Sequence, residues 1–342
     1  MNNPNSTIKR CTICLLPETF PNISFDENGS CNYCLKSKKY FNFRELKEKN
    51  LKLIDDKIRE AKSLNRKYDA IIAYSGGKDS TYTLIQAKEQ YGLRALAFTF
   101  DNGYISDQAF SNIKNIVEKV GVDHITFKAA KNDFDEILKI IVTNKDVFPA
   151  SIRSRISDIC YACITVVNTF AYNLAAENDC PLIFSGFTLG QIPLNSVVYS
   201  YSPETLAEFR EQTFSKLLKL CSYHQERFFT FSKKACNPQP CYVNPLAIDE
   251  ISEEQIIESI QKYGWKAPKD VDSCSTNCKL NQFSNYIHKE RYKFSPYASE
   301  IAFSVREGLM DKKEALKKLE DRGDVDIVNQ IAHDLKIEIK RN

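Results

Sequence analysis

The sequence predicts an α/β protein with a doubly wound parallel sheet, an N-terminal cysteine-rich unit and a small helical C-terminal region. Three observations indicate this fold. Short apolar runs alternate with amphipathic stretches from residue 68 onward, two Cys-x2-Cys pairs stand near the start, and helical periodicity returns around residues 300–306 and 312–322. A chain in which strands and helices alternate builds a parallel sheet with helices on both faces.

The alternation locates the elements of the sheet. Strands are predicted at residues 69–74, 95–100, 124–127, 181–186 and 242–246. Helices are predicted from the turn after the first strand to about residue 90, and at about 106–120, 133–142 and 161–177. A last helix of this unit follows Ser252, which with Gln255 has the spacing of a capping box.

Composition and charge exclude several classes of protein. The chain of 342 residues is 43% hydrophobic and 27% charged, which is ordinary for a globular protein with room for two or three compact units. Its 47 Lys and Arg against 44 Asp and Glu give a net charge of +3, which neither requires nor excludes a nucleic-acid partner. The longest charge-free stretch, 180–203, is too polar for a membrane span, and residues 1–11 lack the apolar core of a secretion signal. We therefore expect a cytoplasmic protein with no membrane partner.

The 12 cysteines of a cytoplasmic chain indicate metal, cluster or thiol chemistry rather than disulfides. Cys11, Cys14, Cys31 and Cys34 form two Cys-x2-Cys pairs with the spacing of a tetrahedral four-cysteine zinc ribbon. Four thiolates leave no position open for a substrate, so we expect Zn²⁺ to be structural. The metal would stabilise a segment that has few other means of folding.

The sharpest motif directly follows the first predicted strand, which ends at Tyr74. It reads Ser75-Gly76-Gly77-Lys78-Asp79-Ser80 and leads into a helix. The glycines allow backbone amides to approach an anion, and the helix N-terminus adds free N–H donors and a partial positive charge. Lys78 adds a mobile positive charge, and Asp79 would cap the turn or help to hold Mg²⁺. The spacing is not that of the Walker loop.

This loop resembles the SGGxDS loop of the PP-loop ATP pyrophosphatases, also called adenine nucleotide alpha-hydrolases. The resemblance implies a PP-loop (HUP-like) fold in which the loop, with Lys78 and Asp79, binds the pyrophosphate of ATP while AMP is transferred onto a carbonyl or amide oxygen. A nitrogen or sulfur nucleophile then displaces AMP. By position, the resemblance places the adenine at the end of the second strand, at Phe98, Thr99, Phe100 and Asp101. It places a later glycine turn, at Gly186, near the ribose and phosphates.

A second group of cysteines allows several interpretations. Cys160-x2-Cys163 stands just before a predicted helix and fits a half zinc site, a redox pair or two core thiols. Cys274 and Cys278 follow late in the chain. A second structural zinc site is also conceivable, built from Cys236, Cys241, Cys274 and Cys278.

The CxxC pair with one later cysteine resembles the PP-loop tRNA thiolases, in which three thiolates hold a [4Fe-4S] cluster and leave one iron open. The resemblance implies that Cys160 and Cys163 take part in catalysis as cluster ligands. It implies Cys274 as the third ligand, with Cys278 as the alternative.

Both ends of the chain resemble another PP-loop group, the N-acetyl sugar amidotransferases. Residues 15–34 are similar to the opening of those enzymes and residues 294–316 to their ending. The resemblance implies conversion of an acetamido to an acetamidino group on bacterial surface sugars, with ammonia from a separate glutaminase.

These observations predict four regions: a zinc ribbon (1–40), a linking helix (41–66), a PP-loop domain (67–266) and a C-terminal helical region (267–342). For the nucleophile the cysteines favour sulfur, so the expected reaction is ATP-dependent thiolation of an acceptor. Nitrogen transfer with a glutaminase partner is the alternative, and a non-enzymatic binding module is a third. The expected acceptor is a small molecule, a sugar nucleotide or tRNA. The expected partner is a sulfur donor or a glutaminase subunit. The chain could also form a homodimer.

Overall fold

The computed structural model describes residues 8–40 and 43–339. The N-terminal residues 1–7, in which no signal segment is expected, lie outside the described residues, as do residues 41–42 of the predicted linking helix. The described residues contain six strands: β1 (Ala70–Ala73), β2 (Ala95–Asp101), β3 (Asp123–Lys128), β4 (Leu182–Phe184), β5 (Val198–Ser200) and β6 (Cys241–Val243).

Helices surround this sheet and continue beyond it. In chain order they are α1 (Asn32–Tyr40), α2 (Phe43–Ser63), α3 (Lys78–Ile85), α4 (Asp107–Val120), α5 (Lys131–Thr143), α6 (Ala150–Arg153), α7 (Asp158–Glu177), α8 (Pro203–Leu218), α9 (Tyr223–Glu226), α10 (Glu253–Gln261), α11 (Leu280–Tyr292), α12 (Ala298–Arg306), α13 (Lys312–Glu320) and α14 (Val325–Asp334). A π-helical turn, Gln86–Gln90, extends α3, and three short 3₁₀ turns lie at Leu194–Ser196, Arg227–Phe229 and Pro245–Ala247.

The strands form one sheet in the order β3-β2-β1-β4-β6-β5. β1 pairs in parallel with β2 on one side, with Ala70 opposite Ala95, and with β4 on the other, with Ala70 opposite Leu182. The strand order reverses between β1 and β4, which is the switch point of a doubly wound sheet and the usual place for a ligand. The α/β fold with a mostly parallel sheet is therefore confirmed.

The sheet differs from the prediction at one edge. β5 lies in the charge-free stretch 180–203, where the sequence predicts only one strand, and it pairs antiparallel with β6. The chain passes from β4 to β5 without a crossover helix and therefore runs back in the opposite direction, and β6 later pairs between the two strands. Each of the five predicted strands is present, with ends shifted by no more than three residues.

Alternation along the strands separates two hydrophobic cores. Ile71 and Phe98 face the core formed with α5, α7, α11 and α14. Ile72 and Ala97 face the opposite core, formed with α2, α3, α4 and α10. Side chains of a strand point alternately to the two faces, so a sheet covered on both sides needs this continuous apolar pattern.

One helix differs instructively from its predicted bounds. α7 begins at Asp158 rather than at residue 161, because Ser157 caps it by accepting a hydrogen bond from the Cys160 amide. Cys160 and Cys163 consequently lie inside the first two turns of the helix instead of before it. The predicted Ser252–Gln255 capping box of α10 is present.

Among the described helices, α7 alone is long and apolar enough to cross a membrane, judged by length and composition. Half of its apolar stretch is buried inside the protein. A helix in the core of an α/β fold passes the same test. α7 packs against β1, β2 and β4, so its composition follows from its place in the core.

A third core joins the two ends of the chain. The four N-terminal cysteines and Phe20 are buried together with Ala298, Ile301 and Ala302 of α12. The Phe20 and Phe294 rings meet edge to face at 5.3 Å between centroids. The N-terminal cysteine unit therefore supports α12 directly.

Candidate functional site

The predicted phosphate loop lies at the switch point of the sheet. Residues 75–77 connect the carboxyl end of β1 to the N-terminus of α3. The amide and hydroxyl of Ser75 both contact the Ser80 hydroxyl, at 3.2 and 3.0 Å. The Trp265 indole N–H donates to the Gly76 carbonyl at 3.0 Å. The loop is thus fixed from both sides, with the start of α3 pointing out of the sheet edge.

Two glycines in this region are required by geometry. Gly76 has a φ of +76°, and a Cβ there would lie 2.5 Å from the Ala109 carbonyl oxygen. A Cβ at Gly186, after β4, would lie 2.9 Å from the Ser80 amide nitrogen. The backbone after β4 therefore packs directly against the loop, which explains why the sequence has glycine at both places.

Gly76→Ala should lower stability and remove nucleotide binding, because the new methyl group meets backbone rather than a movable side chain. We expect a loss above the roughly 1–3 kcal/mol of left-handed strain alone. Gly103→Ala is the matched control, since Gly103 has a φ of +85° but nothing within 4 Å of a new Cβ. Urea unfolding of both variants measures the difference; equal losses would contradict a collision at Gly76.

Lys78 and Asp79 begin α3 and form an ion pair, with 2.9 Å between Nζ and Oδ2. Burial alone would lower the pKa of Lys78, but nearby carboxylates raise it. They are Asp79, Glu253 and Glu300. The Lys78 amide donates to the Thr276 hydroxyl at 2.8 Å. The loop between α10 and α11 therefore covers the start of α3. A lysine kept positive here suits the binding of phosphate.

A cavity of about 510 Å³ opens beside the loop. The predicted site residues that line it are Tyr74, Ser75, Gly77, Lys78, Asp79, Ser80, Phe98, Phe100, Gly186, Cys160, Cys163, Cys274 and Cys278. Of the two arginines just before the CxxC pair, Arg155 lines the cavity, whereas Arg153 pairs with Asp146 at 2.5 Å. The structure therefore brings the phosphate loop and both cysteine groups to one space large enough for a nucleotide.

Three predicted nucleotide-binding residues do not line this cavity: Gly76, Thr99 and Asp101. Strand alternation turns Thr99 and Asp101 to the other side of β2 from Phe98 and Phe100. Thr99 donates to the Tyr74 carbonyl at 2.6 Å, and Asp101 accepts from the Gly103 amide at 2.8 Å. Their side chains therefore support the ends of the strands, while the two phenylalanine rings offer an apolar wall.

Cys160, Cys163 and Cys278 lie near one another, and Asn102 contacts two of them. The Asn102 side-chain amide points at the sulfurs of Cys278 and Cys163, at 3.5 and 4.0 Å. Burial raises the pKa of all three thiols, and mutual charge repulsion with its two partners raises that of Cys163 further. Three thiols this close to one another form a soft donor set.

Cys274 has different neighbours. Its amide donates to Asp272 at 2.8 Å, and burial followed by the charges of Asp272 and Glu300 raises the pKa of its thiol to about 12. The structure thus groups Cys278, rather than the favoured Cys274, with the CxxC pair. Cys274 lines the same cavity.

The alternative zinc site of Cys236, Cys241, Cys274 and Cys278 is wrong. Cys241 belongs to β6 and is buried in the core on one face of the sheet, and Cys236 packs against the core on the opposite face. Neither joins the two cysteines at the cavity. The sheet lies between Cys236 and Cys241, so the four thiols cannot meet at one ion.

The N-terminal cysteines do converge. Cys11 and Cys34 lie 3.8 Å apart and Cys14 and Cys31 lie 3.6 Å apart between sulfurs, and all four are buried. In the described part of the chain, this is the one group of three or more metal-ligating side chains whose ligand atoms all lie within 4.8 Å. Burial would raise the pKa of Cys11, but backbone N–H donors lower it to about 7. The donor set fits a tetrahedral Zn²⁺.

The cavity also contains residues that the sequence did not single out. Glu300 and Tyr297 reach it from α12, and Asn102 and Thr276 reach it from loops. Glu300 was one acidic residue of a predicted surface helix, and nothing in its neighbours along the chain sets it apart. Only the packing of α12 on the cysteine unit turns its polar side inward.

Comparisons with known proteins give a family match in the region that contains the loop. Residues 69–192 match the family model described as Queuosine biosynthesis protein QueC. Uncharacterized protein MJ1599 of Methanocaldococcus jannaschii is 24% identical over 316 residues, which cover 91% of this chain and 93% of that protein. Uncharacterized protein MJ1638 of the same organism is 31% identical over 83 residues, which cover 24% of this chain and 30% of that protein.

Two solved structures are similar at low identity. The U34-tRNA thiolase NcsA from Methanococcus maripaludis with its [4Fe-4S] cluster is 16% identical, with a TM-score of 0.38, 98% of this chain covered and 91% of that chain. NMN synthetase from Francisella tularensis is 12% identical, with a TM-score of 0.40, 89% of this chain covered and 100% of that chain. At these TM-scores neither similarity supports a site assignment.

Proposed function

We propose that this protein uses ATP to adenylate a carbonyl or amide oxygen of an acceptor, and that a sulfur nucleophile then displaces AMP. The loop of residues 75–80 and the match of residues 69–192 to the family model described as Queuosine biosynthesis protein QueC support the use of ATP. One observation carries the choice of sulfur. Cys160, Cys163, Cys274 and Cys278 all line the cavity that holds the phosphate loop. Thiols gathered at the place where AMP would leave are suited to sulfur transfer.

In this proposal each group of residues at the cavity has its own role. Loop amides and the N-terminus of α3 would hold the phosphates, with Lys78 neutralising charge and Asp79 placed to help hold Mg²⁺. Phe98 and Phe100 would form the apolar wall for the base. Gly186 lets the backbone after β4 pack directly against the loop.

The second cysteine group fits an iron–sulfur cluster better than a single ion. Cys160, Cys163 and Cys278 do not all lie within 4.8 Å of one another, the distance that one metal ion needs, but they face one cavity. A [4Fe-4S] cluster bound by three thiolates would supply an iron with an open position for sulfide. In this proposal Cys278 replaces Cys274 as the third ligand.

Metal analysis tests this function. Protein purified without oxygen should contain about four irons and four sulfides per chain beside one zinc, with a visible absorption spectrum. Cys278→Ser should lose most of the iron, whereas Cys274→Ser should keep it. A colourless wild-type protein that contains zinc alone would contradict sulfur transfer, and iron loss only in Cys274→Ser would restore Cys274 as the ligand.

One observation favours a second candidate, ammonia-dependent amidotransfer onto an acetamido sugar. The two segments that resemble N-acetyl sugar amidotransferases pack together, with the Phe20 and Phe294 rings 5.3 Å apart between centroids. The second segment brings Tyr297 and Glu300 to the cavity. Zinc-only protein that releases AMP from ATP with an acetamido sugar nucleotide and ammonium would establish this alternative.

A further inference from the structure

Glu300 is a carboxylate of the nucleotide cavity that the reaction described above does not use. It lies in the first turn of α12, partly exposed to the cavity, on the side of the helix away from Ala298, Ile301 and Ala302. The backbone of Glu300 is 3.3 Å from a Cβ placed on Gly190, so the loop after β4 holds this turn closely. The carboxylate therefore has a fixed position opposite the phosphate loop.

Polar contacts hold the Glu300 carboxylate without neutralising it. The Thr188 hydroxyl donates to Oε1 at 3.3 Å, and the Gln191 side chain forms a second hydrogen bond. The nearest cation, Lys78, is already paired with Asp79. The other titratable groups that face Glu300 are Asp79 from α3, Cys274 from the late loop and Tyr297 from its own helix.

A purely structural carboxylate would explain the bonds to Thr188 and Gln191 but not the surroundings. Asp79 and Glu300 share Lys78 on their side of the cavity, which Arg155 also lines. Repulsion between two acids that share one cation favours the protonated form of one of them. Asp79 has the direct ion pair, which leaves Glu300 as the acid that takes the proton.

We propose that Glu300 is the proton-exchanging residue of the nucleotide site: it binds a proton when ATP binds and, after pyrophosphate has left, accepts the proton that the attacking nucleophile loses. This inference rests on the proposed function. In the second step the lone pair of sulfur or nitrogen forms the bond to the adenylated carbon. The C–O bond breaks and its electron pair stays on the AMP oxygen, while the S–H or N–H proton moves to a Glu300 oxygen.

The charge of the bound nucleotide determines when Glu300 holds a proton. Burial, more than the opposing charge of Lys78, raises the pKa of Glu300 to about 7. The negative charge of Mg²⁺-bound ATP raises that pKa further, so the carboxyl group is neutral while ATP is bound. Loss of pyrophosphate removes negative charge and lowers the pKa, so the carboxyl group releases its proton to solvent. The carboxylate is thereby regenerated before the nucleophile attacks.

Calorimetric titration of ATP and Mg²⁺ into the whole protein at pH 7, in buffers of different ionisation enthalpy, counts the protons exchanged. Wild-type protein should take up about half a proton, because a group is half protonated at its own pKa. Glu300→Gln should bind ATP at least as tightly with the uptake lost. Glu300→Asp should keep the uptake, and Glu307→Gln, which changes an exposed glutamate at the end of α12, should match wild type.

Each outcome decides one question. ATP binding with equal proton uptake in wild type and Glu300→Gln would overturn the role of Glu300 and leave the proposed function intact. Proton release that disappears in Glu300→Gln would make Glu300 a magnesium ligand and also overturn it. No ATP binding by wild type would instead overturn the proposed function.

Discussion

Lys78→Ala should abolish ATP binding and pyrophosphate release while the protein stays folded. The Lys78 ammonium is the cation nearest the start of α3, and it lies among Asp79, Glu253 and Glu300. Without it the two acidic residues that line the cavity, Asp79 and Glu300, would lose their shared cation. Removal of a positioned donor for developing charge commonly costs about 100- to 1,000-fold in rate, and here electrostatic repulsion adds to that loss.

Thermal unfolding with and without ATP measures this effect. A ligand at about 100 times its Kd stabilises the native state by roughly 2.7 kcal/mol, so wild-type protein should show a clear rise in Tm and Lys78→Ala none. Lys114→Ala is the matched control, since Lys114 is an exposed lysine of α4. An ATP-dependent rise in Tm for Lys78→Ala would refute the phosphate-loop assignment.

The features predictable from sequence are those set by local chemistry. The strand, the two glycines and the helix start identify the phosphate loop because every requirement lies within a few consecutive residues. The same holds for the Cys11–Cys34 spacing and for the capping box at Ser252. Alternation of apolar runs predicts the parallel strands, since strands buried on both faces must be apolar throughout.

The features that sequence missed depend on packing between distant segments. Cys274 and Cys278 are equivalent in spacing, and only Asn102, 176 residues before Cys278, distinguishes the one grouped with Cys163. β5 lacks the apolar run of a central strand because it is a short edge strand. Glu300 looks like any glutamate of a surface helix until α12 packs on the cysteine unit.

Loss of zinc from the N-terminal cysteine unit should destabilise the protein and impair its nucleotide site together. Cys11→Ser should lose zinc and give a large fall in Tm, because binding of structural zinc contributes on the order of 10 kcal/mol to small ribbons. The core of this unit contains the four cysteines, Leu16 and Phe20, with α12 and α13 as its cover. Little apolar surface is left to hold the segment once the metal is gone.

The loss of zinc should also affect the cavity, because α12 contacts both the cysteine unit and the cavity. Its apolar side is buried against the cysteine unit, and its polar side carries Glu300 into the nucleotide cavity. Cys236→Ser is the control for loss of a thiol, since a serine there can still donate to the Lys234 carbonyl. We expect Cys11→Ser to combine lost zinc, a lower Tm and weaker ATP binding, and Cys236→Ser to show none of the three. A zinc-free Cys11→Ser protein with wild-type stability that lacks activity alone would contradict a structural role for the metal.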